Sequence, residues 1–267
     1  MVIRMKERRR KYRKRLLGLF FGVLGSVLGV GVLAMVLLHF AMPEDEKVVY
    51  EIFHLPSSPL EIFAANAEPE KEQSQDEMLL QEALEQNQEV YLAECESQDT
   101  VTLLFAGDIL MDDHYAVMST YHNRENDINQ AFDQGLLEQM RNADIFMINN
   151  EFTFTSRGTP TVNKKFTFRA NPGNVSMYEE MGVDIVSVAN NHIYDYGEVS
   201  LLDTLDTLEQ AEIPYVGAGR NLQEAMTPVY YIANGMKIAF VSATQIERNS
   251  VPDTKEATQD SAGVMRC

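Results

Sequence analysis

Three regimes of hydrophobic and polar patterning divide the chain. Leu16 to Met42 is an unbroken apolar run of 27 residues without Asp, Glu, Lys or Arg. Next comes a polar stretch; its part from Glu68 to Asp99 is rich in Glu and Gln, with scattered Leu and Val. From Thr100 onward short apolar runs alternate with amphipathic segments. Val101–Ala106, Asp144–Ile148 and Val183–Ala189 read as buried strands. Pro214–Gly217, Val229–Ala233 and Lys237–Ala243 read as further strands. The segments Ile128–Asn142, Pro172–Met181 and Val199–Ala211 carry helical spacing, the last with Leu201, Leu202, Leu205 and Leu208 on one face. Phe152–Thr155 and Lys165–Arg169, separated by Gly158 and Pro160, predict a hairpin or a long loop. Strands alternating with helices predict a layered α/β domain.

Charge sharpens this division. The 267 residues carry a formal net charge of −18, yet residues 1–15 hold nine Lys/Arg and one Glu, a local +8. The body is therefore strongly acidic. It lacks the clustered cations that nucleic acid requires, so nucleic acid is excluded as a partner. As a helix the apolar run would be about 40 Å long, enough to cross a hydrocarbon core of ~30 Å. A cleaved signal peptide is the rival reading, but its apolar part is usually ~7–15 residues and ends in small residues. Here the run is longer and ends in His39, Phe40, Ala41 and Met42. A retained anchor with a cytoplasmic N-terminus follows, because cationic flanks stay inside. The expected organisation is a basic cytoplasmic head (1–15), a transmembrane anchor (16–43), an acidic stalk or linker (44–100) and an external α/β domain (101–267). Cys95 and Cys267 are the only cysteines. They define no disulfide framework and have no zinc-finger spacing.

Polar residues cluster where three of the apolar strands end. The first yields Gly107-Asp108, the second Asn149-Asn150-Glu151, and the third Asn190-Asn191-His192 followed by Asp195 and Gly197. Sites in open α/β sheets lie beyond the carboxyl ends of strands. Adjacent strands would bring Asp108, Glu151, Asn191 and His192 into one crevice. Carboxylates, an amide carbonyl and an imidazole form a mixed O/N donor set suited to Mn, Zn, Fe or Mg, one ion or two. Taken singly, each cluster also reads as an ordinary turn whose Asp or Asn bonds its own backbone. Other chemistries lack support. There is no G-x-S-x-G elbow. Gly217-Ala218-Gly219 reads as a tight turn, since Leu222 stands where a dinucleotide loop needs its last glycine.

Several stretches resemble the CapA/PgsA family of capsule and poly-γ-glutamate synthesis proteins, whose domain is related to calcineurin-like metallophosphoesterases. They are LLFAGDILM (Leu103–Met111), INNEF (Ile148–Phe152) and VSVANNHIYDYGEVSLLDTLDTL (Val186–Leu208). IPYVGAGRN (Ile213–Asn221) and NGMKIAFVSAT (Asn234–Thr244) also fit. The resemblance implies a metallophosphoesterase-like sandwich held outside the membrane, working with membrane-bound polymer synthesis or export proteins. It implies Asp108, Glu151, Asn191 and His192 as metal ligands. In a hydrolase of this kind His192 and Asp195 are the candidate catalytic residues, acting on an anionic polymer or a phosphoester. Asp112 and His114 follow the first motif and are kept as outer contributors. Two further histidine-bearing blocks of the family, H-W-G-x-E and G-H-x-P-H, do not occur before Cys267. The resemblance thus implies an incomplete site in an incomplete domain.

Overall fold

The computed structural model describes residues 4–5, 74–245 and 255–267. The predicted anchor, 16–43, lies outside these residues. Among the described residues no helix is long and apolar enough to cross a membrane.

Two four-stranded sheets form the centre. The first contains β1 (Arg4–Met5), β2 (Glu89–Leu92), β10 (Val229–Ala233) and β11 (Met236–Phe240), in that order. Within it β10 runs parallel to β2 and antiparallel to β11. The second sheet contains β3 (Leu103–Ile109), β4 (Ile145–Asn150), β7 (Ile185–Ser187) and β8 (Tyr215–Val216), all parallel. Two-residue ladders join β5 (Thr153–Phe154) to β6 (Arg169–Ala170), and β9 (Ala218–Gly219) to β12 (Gly263–Val264).

Side-chain alternation assigns the layers. Along β4, Phe146 and Ile148 point to one core while Ile145 and Met147 point to another. The first core lies under helices α4 (Gln134–Asn142), α5 (Ser176–Met181) and α6 (Glu198–Gln210). These helices contribute Leu137 and Met140, Tyr178 and Met181, and Leu201, Leu205 and Leu208; the short helix α2 (Ala116–His122) adds Met118. In the second core Ile145, Ile185 and Val216 meet Val229, Tyr231, Ala233 and Phe240 of the first sheet. The outer face of that sheet, Val90 and Ile232, packs on Ala83 of helix α1 (Gln75–Glu85). The order is helix, sheet, sheet, helix. This four-layer α/β arrangement agrees with the expected layered sandwich.

Several expectations change in detail. Residues 75–92, expected in the stalk, instead form α1 and β2. The register Val229↔Glu89 through Ile232↔Leu92 makes β2 part of the first sheet. The Glu/Gln-rich composition of α1 reflects its solvent face alone. The helix expected over Ile128–Asn142 is two helices, α3 (Ile128–Ala131) and α4. Asp133 breaks it by capping α4, its side chain accepting from Leu136 N. The hairpin alternative for 152–169 gives way to the long loop, because β5 and β6 run parallel. Pro172–Met181 is a 3₁₀ turn, Pro172–Val175, leading into α5, which Gly182 ends in the left-handed region.

Candidate functional site

Strands β3, β4 and β7 end level, since Asp108 pairs with Asn149 and Asn149 with Ser187. The polar clusters that follow them therefore meet at one edge of the second sheet. Asn149 and Glu151 are two residues apart and point the same way, toward Asp108. Asn150 points into the core, where Tyr178 donates to its Oδ1 at 2.7 Å. The Asn149 amide lies between the two carboxylates and donates to Asp108 Oδ1 at 2.8 Å and to Glu151 Oε2 at 2.5 Å. Asn190 Nδ2 in turn donates to Asn149 Oδ1 at 3.0 Å. Its own Oδ1 accepts from the backbone N–H groups of His192 and Ile193, which shapes the turn after β7.

That turn aims the imidazole. His192 Nδ1 is 2.7 Å from Asp195 Oδ2, and His192 Nε2 is 3.9 Å from Glu151 Oε1. Asp195 is fully buried and heavily engaged: it also accepts from Phe168 N at 2.6 Å and from the Lys164 ammonium. Lys164 reaches the backbone carbonyl of Asn191 as well. The Phe168 ring lies 4.3 Å from the His192 ring, and Tyr115 meets Phe168 edge-on at 5.2 Å. A carboxylate fixing one imidazole nitrogen leaves the other to act outward, the arrangement used to orient metal-bound or proton-transferring histidines.

The structure thus brings Asp108, Glu151, His192 and Asp195 into one network. Asn191 lies at the same turn but is exposed, and the buried amide woven into the network is Asn190. Asp112 does not face this network. It is buried and accepts from His114 N, His114 Nδ1 and Arg169 N, which ties the first motif to β6. The His114 side chain is 77% exposed. The sequence places Asn149 in the second cluster without a role of its own, and gives Lys164 and Phe168 none. The two-residue spacing of Asn149 and Glu151 was a usable signal for the first. The other two lie on a loop, 28 and 24 residues before His192, and only tertiary folding brings them there.

The donor types fit a divalent cation, but their spacing does not close around one. Among the described residues no group of three His, Cys, Asp or Glu side chains could hold a metal ion. The Asn149 amide supplies the positive counterpart between Asp108 and Glu151 instead. Burial pushes the Glu151 carboxyl above its ordinary pKa, and the nearby Asp108 and Asp195 push the same way. A carboxyl with a raised folded-state pKa stabilises the fold at low pH, and that contribution is lost as pH rises through the raised value. Glu151→Gln is therefore expected to melt higher than the parent at pH 7, with the gain fading toward pH 4. Thermal melts of both proteins at the two pH values check this, and equal melting at pH 7 would refute it.

A two-sheet α/β domain with a carboxylate–amide–imidazole network at the strand ends defines the class of protein. Comparison with known proteins specifies it further. The chain belongs to the bacterial capsule synthesis protein PGA_cap family, whose model matches residues 102–266. It is 26% identical over 161 residues to the capsule biosynthesis protein CapA of Bacillus anthracis, covering 59% of this chain and 38% of that one. It is 28% identical over 152 residues to the PGA biosynthesis protein CapA of Bacillus subtilis, covering 56% and 39%. A probable polyglutamine synthesis accessory protein of Mycobacterium tuberculosis is 32% identical over 121 residues, covering 45% and 32%. The matched region spans less than half the length of each of these relatives.

Proposed function

We propose that this protein is a membrane-anchored, extracytoplasmic component of poly-γ-glutamate or capsule polymer synthesis, export or anchoring. It would work beside membrane-bound synthesis or export proteins. The observation that carries the reading is the family match over residues 102–266, which includes every residue of the strand-end network. The names of the relatives concern capsule, PGA and polyglutamine synthesis. The apolar run 16–42 and the +8 head before it support the anchor and its orientation. The two-residue pairing of β1 with β2 would not survive insertion of that run, because a membrane would then separate them. A ladder of two register pairs, at about 1 kcal/mol per hydrogen bond, is outweighed by the transfer of ~20 apolar residues into lipid.

Metal-dependent hydrolysis of a cell-envelope phosphoester is the second reading. It is favoured by the His192–Asp195 pair and by the convergence of the Asp108 and Glu151 carboxylates on the Asn149 amide. Such a reading would need Asp108, Glu151, Asn191 and His192 to draw together around a divalent ion, which their present spacing does not do. This chain's own contribution would be to hold His192 in one tautomer through Asp195.

One complementation experiment tests the first reading against the second. Cells deleted for the gene should lose surface polymer, and the parent protein should restore it. A membrane-impermeant maleimide should label the exposed Cys267 on intact cells. Restoration by an Asp108→Ala/His192→Ala variant identifies a scaffold, whereas failure of a well-expressed variant identifies chemistry at the network. Undiminished polymer in the deletion strain overturns the assignment to polymer synthesis, and labelling of Cys267 only after lysis overturns the topology.

A further inference from the structure

Between Glu151 and Glu179 there is no acidic residue, yet Arg157, Lys164, Lys165 and Arg169 all fall there. Elsewhere in residues 101–267 there are 23 carboxylates and seven Lys/Arg. The stretch is therefore a local +4 on an acidic body. It is also the segment that carries Phe168 against His192.

Two of the four cations are held in ion pairs that build the loop, one is exposed, and one is half-buried against a ring. Arg157 forms a two-pronged pair with Asp203 of α6. Lys164 is spent on Asp195 and the Asn191 carbonyl. The loop is pinned at other points too. Thr161 N donates to the Asp195 carbonyl at 2.9 Å, and Arg169 N to Asp112 Oδ2 at 2.9 Å. Gly158 has a φ of +81°, and a Cβ there would lie 2.2 Å from the Tyr196 carbonyl oxygen. Lys165 and Arg169 are different. Lys165 is exposed, with its ammonium 5.0 Å from the centre of the Phe166 ring. The Arg169 guanidinium lies 4.7 Å over the Tyr196 ring. Phe166 is 49% and Val162 71% exposed on the same loop.

We propose that this loop is the anion-recognition face of the strand-end site, and that its ligand is a flexible polymer bearing single carboxylates, gripped by Lys165 and Arg169. The proposal rests on the polymer reading above and assigns residues to it. The two cations are separated along the loop by Phe166, Thr167 and Phe168, and each lies against a different ring, Phe166 and Tyr196. Dispersed single charges match a chain with one carboxylate per repeat better than a compact phosphate, which calls for converging donors. Exposed Phe166 and Val162 offer apolar contact to the methylenes between carboxylates. Within residues 101–267 the surrounding acidic surface disfavours a polyanion and so steers it to this stretch.

The test is fluorescence anisotropy on the full chain in detergent, with a fluorescein-labelled oligoglutamate of about 20 residues as probe, a length ample for dispersed contacts. The parent should bind, and Lys165→Glu/Arg169→Glu should weaken binding about tenfold or more. The double variant should also lower the slope of log affinity against log salt by about two. Lys165→Glu alone, on an exposed position that leaves β6 intact, should weaken binding by about threefold. Lys237→Glu, a cation of the first sheet lying over Tyr230, should change nothing. No binding by the parent, parent-like binding by the double variant, or an equal loss with Lys237→Glu would each overturn the proposal. Inorganic phosphate competing as well as oligoglutamate at equal charge would assign the loop to a compact anion and overturn it too. Failure here with surface polymer still restored in complemented cells refutes the loop assignment and leaves the polymer reading standing.

Discussion

Asp195→Ala is expected to destabilise the fold by about 3–5 kcal/mol, because it removes one partner of a buried charge pair. The Asp195 carboxylate is fully buried and satisfies three donors at once: His192 Nδ1, Phe168 N and the Lys164 ammonium. Deleting it strands the Lys164 charge, whose side chain is only 22% exposed, and leaves Phe168 N without its acceptor. Asp195→Asn keeps an acceptor but not the charge, so its cost should be smaller. Lys164→Met combined with Asp195→Asn should recover part of the loss, since no uncompensated charge then remains. Urea unfolding of the single and double variants measures the coupling directly. Additive costs would show that Lys164 and Asp195 do not act as a pair.

Phe154→Ala should cost about 3–5 kcal/mol by the usual scale for buried aromatic truncation. Phe154 has no exposed surface. Its ring meets Phe152 at 4.8 Å and Tyr178 at 5.7 Å, both edge-on. Its backbone N–H donates to Thr204 Oγ1 at 2.9 Å, which fastens β5 to α6. Truncation would open a cavity beneath the start of the cationic loop, so oligoglutamate binding should weaken along with stability. Phe154→Leu, which refills most of the volume, should cost less than half as much. Similar midpoints for Phe154→Ala and the parent would mean that α6 and α5 collapse onto the gap.

Much of the architecture was legible because period and length suffice for it. β10 matches its expected span, Val229–Ala233, and α6 lies within one residue of its expected ends. The three strand-end clusters were legible because a parallel sheet with short apolar strands leaves its polar residues at the carboxyl ends. The two-sided role of β10 was not. Tyr230 and Ile232 face α1 while Val229, Tyr231 and Ala233 face the other sheet, so the strand reads as one apolar run with no preferred face. The Glu/Gln-rich helix α1 was hidden for the opposite reason. Leu79, Leu80, Ala83 and Leu84 share a face, but Glu and Gln dominate the rest of the segment and give it the composition of a solvated linker. Only the packing of Ala83, Leu79, Leu80 and Leu84 on the first sheet makes it part of the fold.

By itself the sequence determined the charge division, the candidate span, the α/β alternation and the identities of Asp108, Glu151, His192 and Asp195. Each of these follows from local pattern, which neighbouring residues carry in one dimension. Tertiary structure decided that Asn149 lies between two carboxylates, that Asn190 rather than Asn191 is the structural amide, and that Lys164 balances Asp195. It also decided that the loop carrying Lys165 and Arg169 returns to the site, through Lys164 on Asp195 and Phe168 on His192. Those facts depend on strand register and on loop return, and both are set by burial of side chains distant in sequence.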